Sequence, residues 1–312
     1  MANVIAGVGG IDFDDLKISD LLLGDPVQAT PTAFTLKDGT WLYEFQGSFT
    51  YSGGEISGGT VNSWRESEGG VMRMEVTGFS VPVTTFVGWA EGNANEAARS
   101  TILSGADVIT GSAAADRMWG YAGNDTITGG DGQDYLRGNE GDDSLSGGAG
   151  FDDLHGNQGN DTVDGGAGDD WVVGGQGNDL LYGGDDASNN VVYGNLGDDT
   201  CYGGAGIDWV RGGQGNDSLS AGAGDDLIWG DRGDDTIRGG AGADTFGIFG
   251  EAGTDRILDF NAAECDRIRV DPGYTFTTAQ VGADVVVTIS GGGAHAILVG
   301  VQLSALPDGW IS

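Results

Sequence analysis

Gly147-Gly148-Ala149-Gly150-Phe151-Asp152-Asp153-Leu154-His155 and Gly174-Gly175-Gln176-Gly177-Asn178-Asp179-Leu180-Leu181-Tyr182 are two copies of one phrase, Gly-Gly-x-Gly-x-Asp-x-U-x, where U is a large apolar residue. The phrase is written sixteen times between residues 102 and 247, and one two-residue insertion within residues 183–193 completes that stretch. A degenerate seventeenth copy at residues 250–258 keeps Gly253 and Asp255. A fixed short period means that one structural unit is stacked on the next, so this stretch decides the fold. Glycines at positions 1, 2 and 4 admit positive φ and let the backbone turn tightly with its carbonyls directed inward. The remaining x-U-x reads as a three-residue strand, with U facing in and its neighbours facing out. Two copies make one coil of turn, strand, turn, strand.

The aspartate at position 6 adds a carboxylate to that ring of carbonyls. Such a set suits a hard cation that takes six to eight oxygens, Ca²⁺ rather than Mg²⁺, which keeps its waters. The repeats resemble the RTX (hemolysin-type) calcium-binding nonapeptide over residues 102 to about 258, half of the chain. That resemblance implies a right-handed parallel β-roll with each Ca²⁺ held between the turns of repeats n and n+2. The matching residues are Asp107, Asp116, Asp125, Asp134, Asp143, Asp152, Asp161, Asp170, Asp179, Asp199, Asp208, Asp217, Asp226, Asp235, Asp244 and, in the degenerate copy, Asp255. The tenth repeat departs, because its fourth-position Gly is lost and Asn190 stands where Asp belongs. The second has Ala114 in place of its fourth-position Gly. Calcium columns bordering these turns are expected to weaken, most of all at Asn190.

Composition agrees with a calcium-loaded array. The chain has 312 residues, 62 of them glycine, and a net charge of −35. Residues 102–260 hold 30 acidic and 6 basic side chains, a balance that about a dozen Ca²⁺, near one per repeat, would nearly cancel. Without the ions the carboxylates repel one another across a thin core. Such acidity argues against nucleic acid and anionic membrane surfaces as partners. No apolar run is long enough to span a membrane, and Met1-Ala2-Asn3-Val4 does not begin a cleavable leader. Of the two cysteines, Cys201 takes an inward U position and Cys265 lies beyond the repeats, so no disulfide is expected.

The expected architecture is all-β: a small antiparallel β domain and linker (1–101), the calcium-binding β-roll (102–258), and a C-terminal β cap (259–312). In the first part Phe34-Thr35-Leu36, Trp41-Leu42-Tyr43-Glu44-Phe45, Ser48-Phe49-Thr50-Tyr51 and residues 71–76 read as strands. Ser52-Gly53-Gly54 and Ser57-Gly58-Gly59 read as turns between them. A short helix is expected near residues 13–23, and Asp12, Asp14 and Asp15 read as a solvated edge. In the last part, residues 275–280, 284–290 and 294–301 read as strands. The cap resembles the C-terminal region of type I-secreted RTX proteins, which implies an uncleaved export signal. Localisation is then extracellular or at the cell surface of a Gram-negative bacterium, with the type I secretion machinery as a partner.

No catalytic motif accompanies the repeats. The only histidines are His155 and His295, there is no His-Glu-x-x-His, and Gly78-Phe79-Ser80-Val81-Pro82 lacks the final Gly of a nucleophile elbow. The outward positions carry more information. Even repeats present Trp119, Tyr135, Arg137, Trp171, Tyr193, Trp209, Arg211 and Trp229, while odd repeats present mostly Ser and Thr. A rigid sheet bearing exposed Trp, Tyr and Arg is the composition of an interface. A secreted, calcium-folded structural or adhesive protein without catalysis is expected, its aromatic face meeting another copy or an extracellular polysaccharide. The alternatives are an extracellular enzyme with a catalytic N-terminal domain on an RTX export scaffold, and an aromatic face covered by residues 1–101.

Overall fold

The computed structural model describes residues 3–6, 25–29, 33–38, 41–52, 55–68, 71–82 and 100–312. The chain divides into two compact units, Met1–Ser144 and Leu145–Ser312. The expected helix near residues 13–23 and the cluster Asp12, Asp14 and Asp15 lie outside the described residues.

The first unit opens with β1 (Asn3–Ala6), β2 (Asp25–Ala29), β3 (Ala33–Asp38), β4 (Trp41–Ser52), β5 (Glu55–Glu68) and β6 (Val71–Pro82). They form an antiparallel sheet in the order β2-β3-β4-β5-β6-β1. Two of the runs read separately in the sequence join as β4. Ser57-Gly58-Gly59 is not a turn but part of β5, where Gly58 and Gly59 pair with Thr50 and Phe49 beside a register shift. Glycine inside a strand commonly marks such an irregularity. Buried Phe45, Val61 and Val76 line one side of the sheet.

The repeats follow with β7 (Val108–Thr110), β8 (Arg117–Ala122), β9 (Thr126–Asp131) and β10 (Tyr135–Glu140). β7 pairs with β9 and β8 with β10, all parallel. β1 joins the two parts of this unit, for it is antiparallel to β6 and parallel to β7. The first strand of the roll therefore has no open edge on that side, which is where a solenoid most needs cover.

β11 (Ser144–Ala149) stands at the junction of the units. The second unit is itself a solenoid, with β12 (Asp153–Gln158), β13 (Thr162–Ala167), β14 (Trp171–Gln176), β15 (Leu180–Tyr182), β16 (Val191–Leu196), β17 (Thr200–Ala205), β18 (Trp209–Gln214), β19 (Ser218–Ala223), β20 (Leu227–Arg232), β21 (Thr236–Ala241), β22 (Thr245–Ile248), β23 (Thr254–Ile257) and β24 (Arg267–Val270). Even-numbered strands pair in parallel with even ones and odd with odd, giving two facing sheets. Most strands run six residues, not three, because the ladder continues through the glycine pair of the next repeat. Alternation then buries both the U residue and the first-position Gly, as in Asp153–Gln158 where Leu154 and Gly156 are inside. The core is one column of U side chains, Leu154, Val163, Val172, Leu181, Val192, Cys201, Val210 and onward, each fully buried.

The end of the second unit is closed twice. β25 (Thr275–Val281), β26 (Asp284–Ser290) and β27 (His295–Leu298) form an antiparallel sheet whose last strand pairs in parallel with β23. On the other sheet the C-terminus bridges Ile268 to Ile311, and Trp310 packs edge-on against Phe260, their ring centres 6.1 Å apart. Among the described residues no helix is long and apolar enough to cross a membrane.

Candidate metal centres

Each sixth-position aspartate is buried at the turn, next to the U residue of its repeat. Its Oδ1 accepts the backbone N–H of the aspartate two repeats earlier. Asp107 N donates to Asp125 Oδ1 (2.7 Å) and Asp116 N to Asp134 Oδ1 (2.8 Å) in the first unit. In the second, Asp161, Asp179, Asp199 and Asp217 donate in turn to Asp179, Asp199, Asp217 and Asp235, all at 2.8 Å. The opposite edge carries a second column through Asp152, Asp170, Asn190, Asp208, Asp226 and Asp244.

In many of these aspartates the other carboxylate oxygen has nothing to bind among the described residues. Oδ2 of Asp125, Asp170, Asp179, Asp199, Asp208, Asp217, Asp226 and Asp244 is buried without a hydrogen-bond partner. An ionised oxygen in that position loses its hydration and gains nothing in return. The proton is therefore held more tightly. Burial, reinforced by the neighbouring carboxylates, raises Asp170 and Asp199 to about 7 and Asp217 to about 8, against the pull of one backbone N–H on each. Asp255 is also raised, by burial and by the adjoining Asp235 carboxylate.

The first-position glycines show what faces these oxygens. A Cβ added at Gly203 would lie 2.7 Å from Asp208 Oδ2 and 2.6 Å from the carbonyl oxygen of Ala221. At Gly194 it would meet Asp199 Oδ2 and Gly212 O, and at Gly165 Asp170 Oδ2 and Gly183 O. A carboxylate oxygen and a carbonyl oxygen from the next coil thus bracket a space that only glycine leaves open. Two acceptors facing one another with no hydrogen between them need a cation. Among the described residues no three His, Cys, Asp or Glu side chains converge, so the donors are backbone carbonyls with single carboxylates. That all-oxygen set fits Ca²⁺ and lacks the nitrogen or sulfur that zinc prefers.

Asn190 shows the same turn without that need. It keeps its place in the column, accepting from Asp170 N (2.9 Å) and donating its own N–H to Asp208 Oδ1 (2.7 Å). Its Nδ2 then donates to Gly203 O (3.4 Å), filling from within the gap that other turns leave between two oxygens. Asp116 also differs, since its Oδ2 accepts from Ser112 N (2.7 Å) and lies 3.1 Å from Ser112 Oγ. Asp266 was missed in the sequence reading. It accepts Asp244 N at 3.1 Å and Asn261 N at 2.7 Å, ending that column, and Ile268 behind it is buried. The signal was Asp266-Arg267-Ile268-Arg269, an Asp-x-U-x remnant displaced by a longer turn. The fifth positions, which the repeat phrase leaves unspecified, form another ladder of opposite sense. Asn178 N, Asp198 N, Asn216 N and Asp234 N donate to the side chains of Asn160, Asn178, Asp198 and Asn216 at 2.7–2.9 Å.

The aromatic residues expected at the interface, Trp119, Tyr135, Trp171, Tyr193, Trp209 and Trp229, lie on even-numbered strands, whereas Tyr182 and Tyr202 stack on the odd-numbered β15 and β17, their ring centres 5.1 Å apart. In the first unit Trp119 and Tyr135 are 6.0 Å apart and Arg137 lies 3.5 Å from the Tyr135 ring centre, with its Nη1 on Leu136 O. In the second, Tyr193, Trp209 and Trp229 form a chain of ring contacts at 6.4 and 5.9 Å, and Arg211 sits 5.8 Å from Tyr193. Trp171 and Trp209 remain 45% and 42% exposed. The pattern is two clusters and a separate Trp171, and Arg137 is buried among its own neighbours.

The family model for the RTX calcium-binding nonapeptide repeat matches residues 103–136, 137–172, 164–187, 185–210 and 211–246. No curated protein sequence matched the chain. Among solved structures, the extracellular lipase LipA of Serratia marcescens aligns at 20% identity over 67% of this chain and 40% of its own, with a TM-score of 0.32. The AlgE6R3 subunit of the Azotobacter vinelandii mannuronan C5-epimerase aligns at 28% identity over 40% of this chain and 77% of its own, with a TM-score of 0.24. This chain thus spans well under two thirds of the lipase. With a nine-residue period, a parallel solenoid and oxygen-lined turns, residues 103–246 are a structural array of RTX calcium-binding nonapeptide repeats.

Proposed function

We propose that the protein is exported, folds on Ca²⁺ outside the cell, and serves there as a structural or adhesive rod without catalysis. The observation that carries the reading is the set of buried, unpartnered Oδ2 atoms facing carbonyl oxygens at both edges of the roll. The sixth-position aspartates would hold the ions, near one per repeat, with the turn carbonyls completing the oxygen shell. Bound calcium would supply the positive charge that lets the carboxylates stay ionised inside the fold. Asn190, with its own donor in that place, would interrupt one column, while the column through Asp179 and Asp199 runs on. Asp116, whose Oδ2 is already bonded by Ser112 of its own turn, would close a column rather than load it.

Sites that form only in the folded state couple binding to folding. At the micromolar calcium of a cytoplasm the repeats would remain unfolded and competent for a type I exporter; at the about 10⁻³ M typical outside they would fold. The even-strand aromatic face would then bind a second copy or an extracellular polysaccharide, with Trp171 and Trp209 as its exposed anchors. Circular dichroism through a calcium titration tests the first part: a steep gain of β signal is expected, and a roll equally ordered in excess chelator refutes it. Sedimentation of a Trp171→Ser, Trp209→Ser variant tests the second. It should fold with calcium and lose self-association or polysaccharide binding, and a variant that associates and binds as before shows the face to be inert.

A further inference from the structure

The two edges of the roll use the same backbone turn and different side chains. At the ends of the odd-numbered strands, positions 2 and 3 are glycine and alanine almost throughout: Gly148-Ala149, Gly166-Ala167, Gly204-Ala205, Gly222-Ala223 and Gly240-Ala241. At the ends of the even-numbered strands the same two places read Asn157-Gln158, Gly175-Gln176, Asn195-Leu196, Gly213-Gln214 and Asp231-Arg232. Strand pairing sets these in register as five successive rungs. Asn157, Asn195 and Asp231 adopt φ of 80°, 81° and 70°, a left-handed conformation that glycine fills on the opposite edge without strain. Backbone geometry therefore does not require a side chain there.

These rungs line an open trough of about 700 Å³ on the outer side of the even-numbered sheet, bounded further by His155 and Arg211. Its charges are largely neutralised within the chain. Arg211 is held by Asp231 through bonds of 2.8 and 2.7 Å, and Arg232 by Glu251 at 2.6 Å. What is left to recognise a ligand is a row of carboxamides. Gln158, Gln176 and Gln214 are exposed, and their carboxamides have no hydrogen-bond partner among the described residues. A carboxamide offers one acceptor and two donors in a plane, the complement of neighbouring hydroxyls. The rungs recur every ~4.8 Å along the roll, close to the length of one hexopyranose unit.

We propose that this trough binds a neutral, linear polysaccharide lying along the roll axis, about one sugar per strand, through Gln158, Gln176, Gln214, Asn157 and Asn195. The proposal deepens the polysaccharide reading given above and rests on it, but it moves the contact from the aromatic rings to the amide rungs. An acidic polymer fits less well, since the trough has no unpaired cation to answer it and the whole chain carries −35.

The test uses the full chain in calcium and isothermal titration with neutral hexasaccharides: β-1,4-linked glucose, mannose and xylose, and α-1,4-linked glucose. An α-1,4-linked hexagalacturonate is the acidic comparison. At least one neutral sugar should bind, and more tightly than the hexagalacturonate. An Asn157→Gly, Asn195→Gly variant removes two amides while keeping a residue suited to positive φ. It should fold with calcium as before and bind about tenfold more weakly, the loss expected for two hydrogen bonds. Gln176→Ala, Gln214→Ala should do the same. Failure of every neutral sugar to bind, tighter binding of the hexagalacturonate, or binding unchanged in both trough variants overturns the proposal. If Trp171→Ser, Trp209→Ser abolishes sugar binding and the trough variants do not, the trough is excluded and the aromatic-face reading stands. If no sugar binds but self-association depends on those tryptophans, the proposal fails and the rod reading survives.

Discussion

One amide in place of one carboxylate oxygen separates Asn190 from its counterparts. Its Nδ2 reaches Gly203 O, where Asp199 or Asp208 presents an oxygen to the next coil instead. Asn190→Asp should therefore add one bound calcium, measured as metal content after dialysis, and should lower stability in chelator. The converse change, Asp199→Asn, should remove one ion. At calcium ten times the site's Kd that loss amounts to about 1.4 kcal/mol of folding free energy, read as a shifted urea midpoint. The position of these side chains was legible in the sequence, because the period and the glycines place every sixth residue at a turn. Their pairing was not. The fifth-position ladder from Asn160 to Asp234 went unread because the nonapeptide phrase leaves that position unspecified, although its Asn and Asp recur once per coil.

At the scale of strands and turns, the aspartate columns couple folding to pH. An aspartate whose folded pKa exceeds its unfolded value of about 3.9 contributes stability that is complete below that value. The contribution disappears as the pH rises through the folded pKa. Asp125, Asp179, Asp208 and Asp244 rise to about 6, Asp170, Asp199 and Asp226 to about 7, and Asp217 to about 8. The metal-free protein should accordingly show more β signal near pH 5 than near pH 8, with the loss spread over that window. With calcium the dependence reverses, since protons and metal compete for the same oxygens: the calcium midpoint should climb as the pH falls. If β content in chelator is flat across the window, the columns do not carry the protons assigned to them. The closing elements make a separate prediction. Trp310, packed on Phe260, should cost about 3 kcal/mol or more when replaced by alanine, measured by urea unfolding in calcium. The strands of this cap were legible from alternating apolar residues. The pairing of β1 with β7 was not, since nothing in Asn3-Val4-Ile5-Ala6 distinguishes a neighbour within the antiparallel sheet from one in the roll.

For the molecule as a whole, periodicity made the solenoid and its all-β flanks readable, because a repeating chain has few ways to bury one apolar residue in nine. The sequence was misread where that logic lapses. Ser57-Gly58-Gly59 looked like a turn and is strand, since pairing with β4 outweighs the local preference of its glycines. The amide rungs were hidden in the sequence because the phrase marks their positions as glycine or as free. The tenth repeat has a further consequence. Two extra residues enter between Leu181 and Cys201, yet those two still pair in register, and Asn189 and Asn190 resume both side-chain ladders beyond the detour. The insertion is confined to a corner, where added length bulges outward and leaves every inward residue in its slot. Each corner is thus a port: an epitope or fluorophore spliced at residues 185–188 should leave the lattice undisturbed. The same splice inside a strand would instead break the parallel ladder of its coil and push the inward residue out of its slot.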